Sequence, residues 1–160
     1  MGQARGGGSG LAIAAVTSDD DWKALEELQH ENFRERCTRQ GIAPFERAVA
    51  QQMVESWRAK TGMTFWLARL DGEACAYIGS WPGLEAGGRA RMGMVESLFT
   101  RPECRHRGIA TALIANAVAD VRTRGAGPVL IGADIEDTPK QMYLALGFEP
   151  VCLTREWMRS

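Results

Sequence analysis

Apolar and polar positions along this chain follow two rhythms, and the switches between them mark its elements. Residues 11–17 (LAIAAVT) are a short apolar run and predict a strand. Ser18 and Asp19 to Asp21 supply the side-chain oxygens that cap a helix N-terminus. Trp22, Leu25, Leu28 and Phe33 then recur at helical spacing until Gly41 and Pro44 break the pattern. A second helix is expected from about residue 45 to 59. Ala48, Val49, Gln52, Met53 and Trp57 form its expected buried side, and Gly62 ends it.

The rhythm then shortens to two. Residues 64–70 and 73–81 alternate like strands around Asp71-Gly72, a strong hairpin turn. A Gly-rich stretch at 82–90 leads to a third strand at 91–100, which Pro102 stops because it has no N–H for a ladder. Ile109, Leu113, Ala117 and Val121 then fall at four-residue steps, predicting a helix from about Gly108 to Arg124 with one buried stripe. Residues 128–134 form a near-continuous apolar strand, as in a sheet covered on both faces. Asp137 and Thr138 can cap a short helix to Leu146, with Gly147 as its C′ residue. Residues 148–158 are expected as a last strand, interrupted by Pro150. The order β-α-α-β-β-β-α-β-α-β predicts a mixed α/β fold.

Size fits one domain: 160 residues with 45% hydrophobic content can fill a single core. Residues 1–10, rich in glycine, are expected as a flexible tail, with one domain over 11–160. Nineteen basic against twenty acidic residues give a net charge of −1. That balance argues against a broad nucleic-acid-binding face. No apolar run reaches the roughly 18–20 residues of a membrane helix. Cys37, Cys75, Cys104 and Cys152 match neither a zinc spacing nor a CxxC pair. They are expected as small buried or half-buried residues. No metal site is predicted, and the expected setting is cytoplasmic.

The chemistry concentrates where the third strand ends. Arg105-His106-Arg107-Gly108-Ile109-Ala110 follows a strand and opens a helix. A helix N-terminus offers backbone N–H groups without internal partners and positive partial charge, a ready site for a pyrophosphate. Gly108 and Ala110 leave room for a phosphate near the backbone, and Arg105 and Arg107 add cationic donors. By themselves these residues equally describe an ordinary helix start with a basic first turn. They lack the glycine spacings of a P-loop or a dinucleotide fingerprint.

The segment LFTRPECRHRGIATALI resembles the central motif of the GNAT N-acetyltransferase superfamily, Arg/Gln-x-x-Gly-x-Gly/Ala, with Arg105, Gly108 and Ala110 at its defined positions. Met142 to Phe148 is similar to the family's second landmark, a Tyr-containing helix running into Gly-Phe. The match is strongest over residues 91–150. The resemblance implies a V-splayed mixed sheet flanked by helices, with acetyl-CoA as co-substrate lying in the splay. It implies that main-chain groups at Leu98, Phe99 and Thr100 meet the pantetheine and acetyl carbonyl. Arg105, His106, Arg107, Gly108, Ile109, Ala110 and Thr111 would hold the pyrophosphate. Many members have Gly where His106 stands, and Asn where Asp137 stands. Asp137 is expected first as a helix cap and second as a cofactor contact.

The implied reaction moves an acetyl group to a primary amine by direct attack in a ternary complex. Tyr143 matches the tyrosine that faces the CoA sulfur as general acid, and the alternative is a core aromatic. Glu96, on the face of Met94 and Leu98 by period-two counting, is a base able to accept the amine proton, or else orients substrate or faces solvent. Glu31, Glu35 and Glu73 are remoter bases. A CoA-binding sensor without turnover is the alternative function. Superfamily members are often homodimers, and the expected strand at 151–158 would pair or pack across subunits. The amine acceptor is not readable from the sequence.

Overall fold

A computed structural model describes residues 10–83, 91–133 and 139–153. Asp137, expected as a helix cap or cofactor contact, most of the N-terminal tail and residues 154–158 of the expected last strand lie outside them. The elements run β1 (Leu11–Ala15), α1 (Asp19–Gln40), α2 (Arg47–Ala59), β2 (Thr64–Leu70), β3 (Glu73–Trp81) and β4 (Arg91–Thr100). A 3-10 turn (Pro102–Cys104), α3 (Ile109–Thr123), β5 (Ala126–Ile131) and α4 (Pro139–Ala145) complete them.

The strands form one sheet in the order β1-β2-β3-β4-β5, the first four antiparallel and β5 parallel to β4. Asp71 and Gly72 both take positive φ, 52° and 90°, the geometry of the expected tight hairpin. Each sheet face carries its own core. On one face, Phe65, Leu67, Tyr77 and Phe99 pack under Leu25 and Leu28 of α1 and Val54 and Trp57 of α2. On the other, Ala68, Ile78 and Val95 pack under Ile109, Leu113, Ile114 and Ala117 of α3, joined by Tyr143 of α4. The predicted α3 stripe, Val121 included, is fully buried.

Other expectations shift. The buried residues of α2 are Ala50, Val54 and Trp57, while Val49 and Met53 are exposed. Trp57 is buried as expected, and Val49 and Met53 lie on the solvent edge of the same apolar stripe. No strand forms over 148–153, where Val151 and Leu153 stand exposed. Cys152 is exposed too, unlike buried Cys37 and Cys75, and all four cysteines are free thiols. No described helix is long and apolar enough to cross a membrane.

Candidate functional site

β5 opens the sheet where the chemistry was expected. It pairs with β4 along Arg91–Val95, so the half of β4 from Glu96 to Thr100 is left without that neighbour. The same half is kinked. Tyr77 pairs with Phe99 and Gly79 with Glu96, so Ser97 and Leu98 together oppose Ile78. This is a β-bulge, and Ser97 has the positive φ of 58° that such an extra residue takes. Cross-strand partners share a face, and Tyr77 and Gly79 are two apart. Glu96 therefore lies with Phe99 on the α1–α2 face. Leu98 packs into the α3-side core. The bulge corrects the period-two count that grouped Glu96 with Leu98.

Beyond β4 the chain passes through the 3-10 turn into a loop with left-handed residues at His106 (φ 61°) and Gly108 (φ 74°). Such alternation turns successive N–H groups toward one concavity. α3 then starts with Gly108 as N-cap, no side-chain cap and no acidic residue in its first turn. α1 is built the other way: Ser18 and Asp21 form a capping box, and Asp19, Asp20 and Asp21 stand in the first turn. The positive end of α3 is thus left for something outside the chain.

A cleft of about 440 Å³ lies there. Leu98, Phe99 and Thr100 of β4, and Arg105, His106, Gly108, Ile109, Ala110 and Thr111 of the loop and α3, line it together. Asn32, Glu35 and Arg39 of α1, Cys104 and Met142 complete the wall. Thr100 Oγ1 is buried and has no hydrogen-bond partner among the described residues. A buried hydroxyl in a cleft wall with no internal partner is suited to a bound polar ligand.

α1 is fastened to this loop by paired charges. Arg101 grips Glu31 in a fork, with Nη2 and Nε at 2.7 and 2.9 Å from the two carboxylate oxygens. One turn along, Arg105 Nη2 donates to Glu35 Oε2 at 2.6 Å, and its Nε donates to the Thr100 carbonyl at 3.0 Å. Glu31 and Glu35, weighed as remoter bases, are instead paired with Arg101 and Arg105. Arg105 ties the end of β4 to α1, with fewer donors left for a phosphate.

Residues 22–148 match the Acetyltransferase (GNAT) family. The chain belongs to this family. No curated protein sequence matches it. Its fold is shared with solved structures of low identity. The aminoglycoside N-acetyltransferase AAC(6′)-Iy in complex with CoA is 18% identical, with 95% of this chain and 96% of that one covered and a TM-score of 0.74. The ribosomal-protein-alanine N-acetyltransferase from Brucella melitensis biovar Abortus 2308 is 17% identical, covering 94% and 99%, at 0.70. A transcriptional regulator from Bacillus halodurans C-125 is 12% identical, covering 93% and 99%, at 0.74. The mixed sheet with flanking helices is the GNAT fold.

Within this GNAT fold the remaining expected residues stand apart from the cleft wall. Arg107 is exposed beside the loop and is not among the lining residues. Tyr143 is buried, its ring edge-on to Phe148 at 6.1 Å, and its neighbour Met142 reaches the cleft instead. Glu96 is half-buried one bulge away from Phe99. Asn32 and Arg39 were not predicted as cleft residues, and Glu35 was weighed as a remote base. Their spacing of three and four on α1 is the one available signal, and it reads equally as a solvated helix face.

Proposed function

We propose that this chain transfers the acetyl group of acetyl-CoA to a primary amine by direct attack in a ternary complex. The observation that carries this reading is the cleft joining the unpaired half of β4 to the uncapped N-terminus of α3. Acetyl-CoA supplies an activated acyl thioester. The loop and first turn, Arg105 through Thr111, would hold its diphosphate through main-chain N–H groups. The main chain at Leu98, Phe99 and Thr100, on the edge of β4 that β5 leaves open, would hold its pantetheine arm, and an N–H near Phe99 on that edge would donate to the developing oxyanion. Thr100 Oγ1 offers a further polar contact there.

The acceptor side is the α1–α2 face. Glu96 lies on that face and is the residue to take the proton from the attacking amine, directly or through water. Tyr143 would give a proton to the departing thiolate. For that, its hydroxyl must reach the cleft past Met142. The structural neighbours include aminoglycoside acetyltransferases and a ribosomal-protein-alanine N-acetyltransferase. Their acceptor chemistries are the first to offer this chain.

Thiol release from acetyl-CoA with neamine, sisomicin and a peptide with N-terminal alanine tests the proposal. Turnover with one of these is expected. With that amine, Tyr143→Phe should slow the single-turnover step, with general-acid effects typically ~10²–10⁴-fold, while acetyl-CoA affinity stays constant. Tight CoA binding without turnover of any amine would point instead to a CoA-binding sensor.

A further inference from the structure

A set of side-chain hydrogen bonds runs from α2 through the core to the cleft wall, and the chemistry of its far end fixes its direction. The Met53 thioether has no proton to give, so it can only accept, and Gln29 Nε2 donates to it at 3.2 Å. Gln29 Oε1 is thereby turned the other way. It accepts from the Tyr77 hydroxyl and, at 3.5 Å, from Asn32 Nδ2. With its proton committed to Gln29, Tyr77 Oη accepts from Asn32 Nδ2 at 3.2 Å. Both hydrogens of the Asn32 amide are therefore used inward, and its Oδ1 is left for the cleft that Asn32 lines. Reversing the chain would set the buried Gln29 oxygen against the sulfur, two acceptors facing each other.

The arrangement is held rigidly. Gln29 is 3% exposed and Tyr77 fully buried. Burial pushes the Tyr77 phenol well above its ordinary range, so its hydroxyl keeps its proton as a donor. Asn32 sits on α1 one turn before Glu35, which the Arg105 ion pair locks to the loop.

We propose that Asn32 is a cofactor-specificity residue whose Oδ1 accepts a hydrogen bond from an amide N–H of the pantetheine arm, with Tyr77 and Gln29 as the residues that position it. This rests on the acetyl-CoA reading above. The cofactor is favoured over the amine because the rest of that cleft wall is the Leu98–Thr100 and Arg105–Thr111 set assigned to the cofactor, while Glu96, assigned to the amine, lies outside it. A fixed carbonyl oxygen selects ligands with an N–H at that point and disfavours those presenting an acceptor.

Calorimetry with CoA and with adenosine 3′,5′-bisphosphate, which lacks the pantetheine arm, separates the outcomes. Asn32→Ala should weaken CoA about five- to tenfold, the usual effect of one lost hydrogen bond, and leave the bisphosphate unchanged. Tyr77→Phe, which keeps the ring, should weaken CoA by a smaller factor, again sparing the bisphosphate. If Tyr77→Phe does not fold, Asn32→Ala on its half-buried helix position still decides. Unchanged CoA affinity in Asn32→Ala overturns the proposal, and so does an equal loss for both ligands, which would mean general damage to the site. Failure of the unaltered protein to bind CoA at all would instead remove the acetyl-CoA reading on which the proposal stands.

Discussion

His106 takes the chain through φ 61°, a conformation that costs an L-residue with a Cβ roughly 1–2 kcal/mol. Histidine is among the residues found there more often than most, but glycine is free of the clash. This explains in physical terms why GNAT relatives often have Gly at the matching position. His106→Gly should therefore raise stability, by less than the full strain because glycine also loses more entropy on folding. A rise of roughly 1–3 °C in Tm by calorimetry is expected for a chain of this size. A lower Tm would mean that the imidazole makes stabilising contacts that outweigh the strain. His106 and Gly108 could be placed in the loop that opens α3 from sequence because their neighbours in the chain define it. Asn32 and Arg39 could not. Their role depends on which part of the molecule lies opposite α1, and a polar side chain looks the same whether it faces a cleft or bulk water.

The start of α1 shows how an element records its own boundary. Asp21 Oδ2 accepts from the Ser18 and Thr17 N–H groups at 3.1 and 3.2 Å, and Oδ1 accepts from Arg69 at 2.8 Å. The Ser18 N–H bond is the largest cause that lowers the Asp21 carboxyl to about 2, against some opposing desolvation. Since the folded value lies below the unfolded one, the stabilisation is full above about pH 4 and is lost as pH falls through about 2. Asp21→Asn should lower stability near neutral pH by about 1 kcal/mol, the usual worth of a cap. Denaturant melts of the two proteins should converge as pH approaches 2. A constant difference across that range would show that Arg69 and packing, not ionisation, carry the effect. Local signals of this kind made β2, β3 and β4 and the α3 stripe legible. They misplaced the edge of the buried stripe of α2, where Val49 and Met53 stand exposed, and failed at Ser97, where one extra residue moved Glu96 to the other face. A bulge is set by pairing with a strand distant in sequence, so period-two counting within β4 has no access to it.

For the whole molecule, the cleft unites three layers: α1 on one face, the parted strand of the sheet, and the start of α3 with Met142 on the other. Ligand binding across such a junction should stabilise the complete fold, because the unfolded chain has no equivalent site. At a CoA concentration one hundred times its Kd, linkage adds about 2.7 kcal/mol. For a chain of this length that corresponds to a rise of roughly 5–10 °C in Tm. Gly108 separates this gain from intrinsic stability. Its φ of 74° strains any side chain, yet a Cβ there meets nothing within 4 Å. Gly108→Ala and Gly108→Glu should therefore start from similarly lowered Tm values, each by about the 1–2 kcal/mol of a left-handed L-residue. They should part company on adding CoA. The alanine variant adds no charge and should retain much of the CoA-dependent rise, whereas the glutamate places bulk and negative charge at the proposed diphosphate site and should show none. Equal CoA-dependent shifts in the parent and Gly108→Glu proteins would move the phosphate site away from the N-terminus of α3.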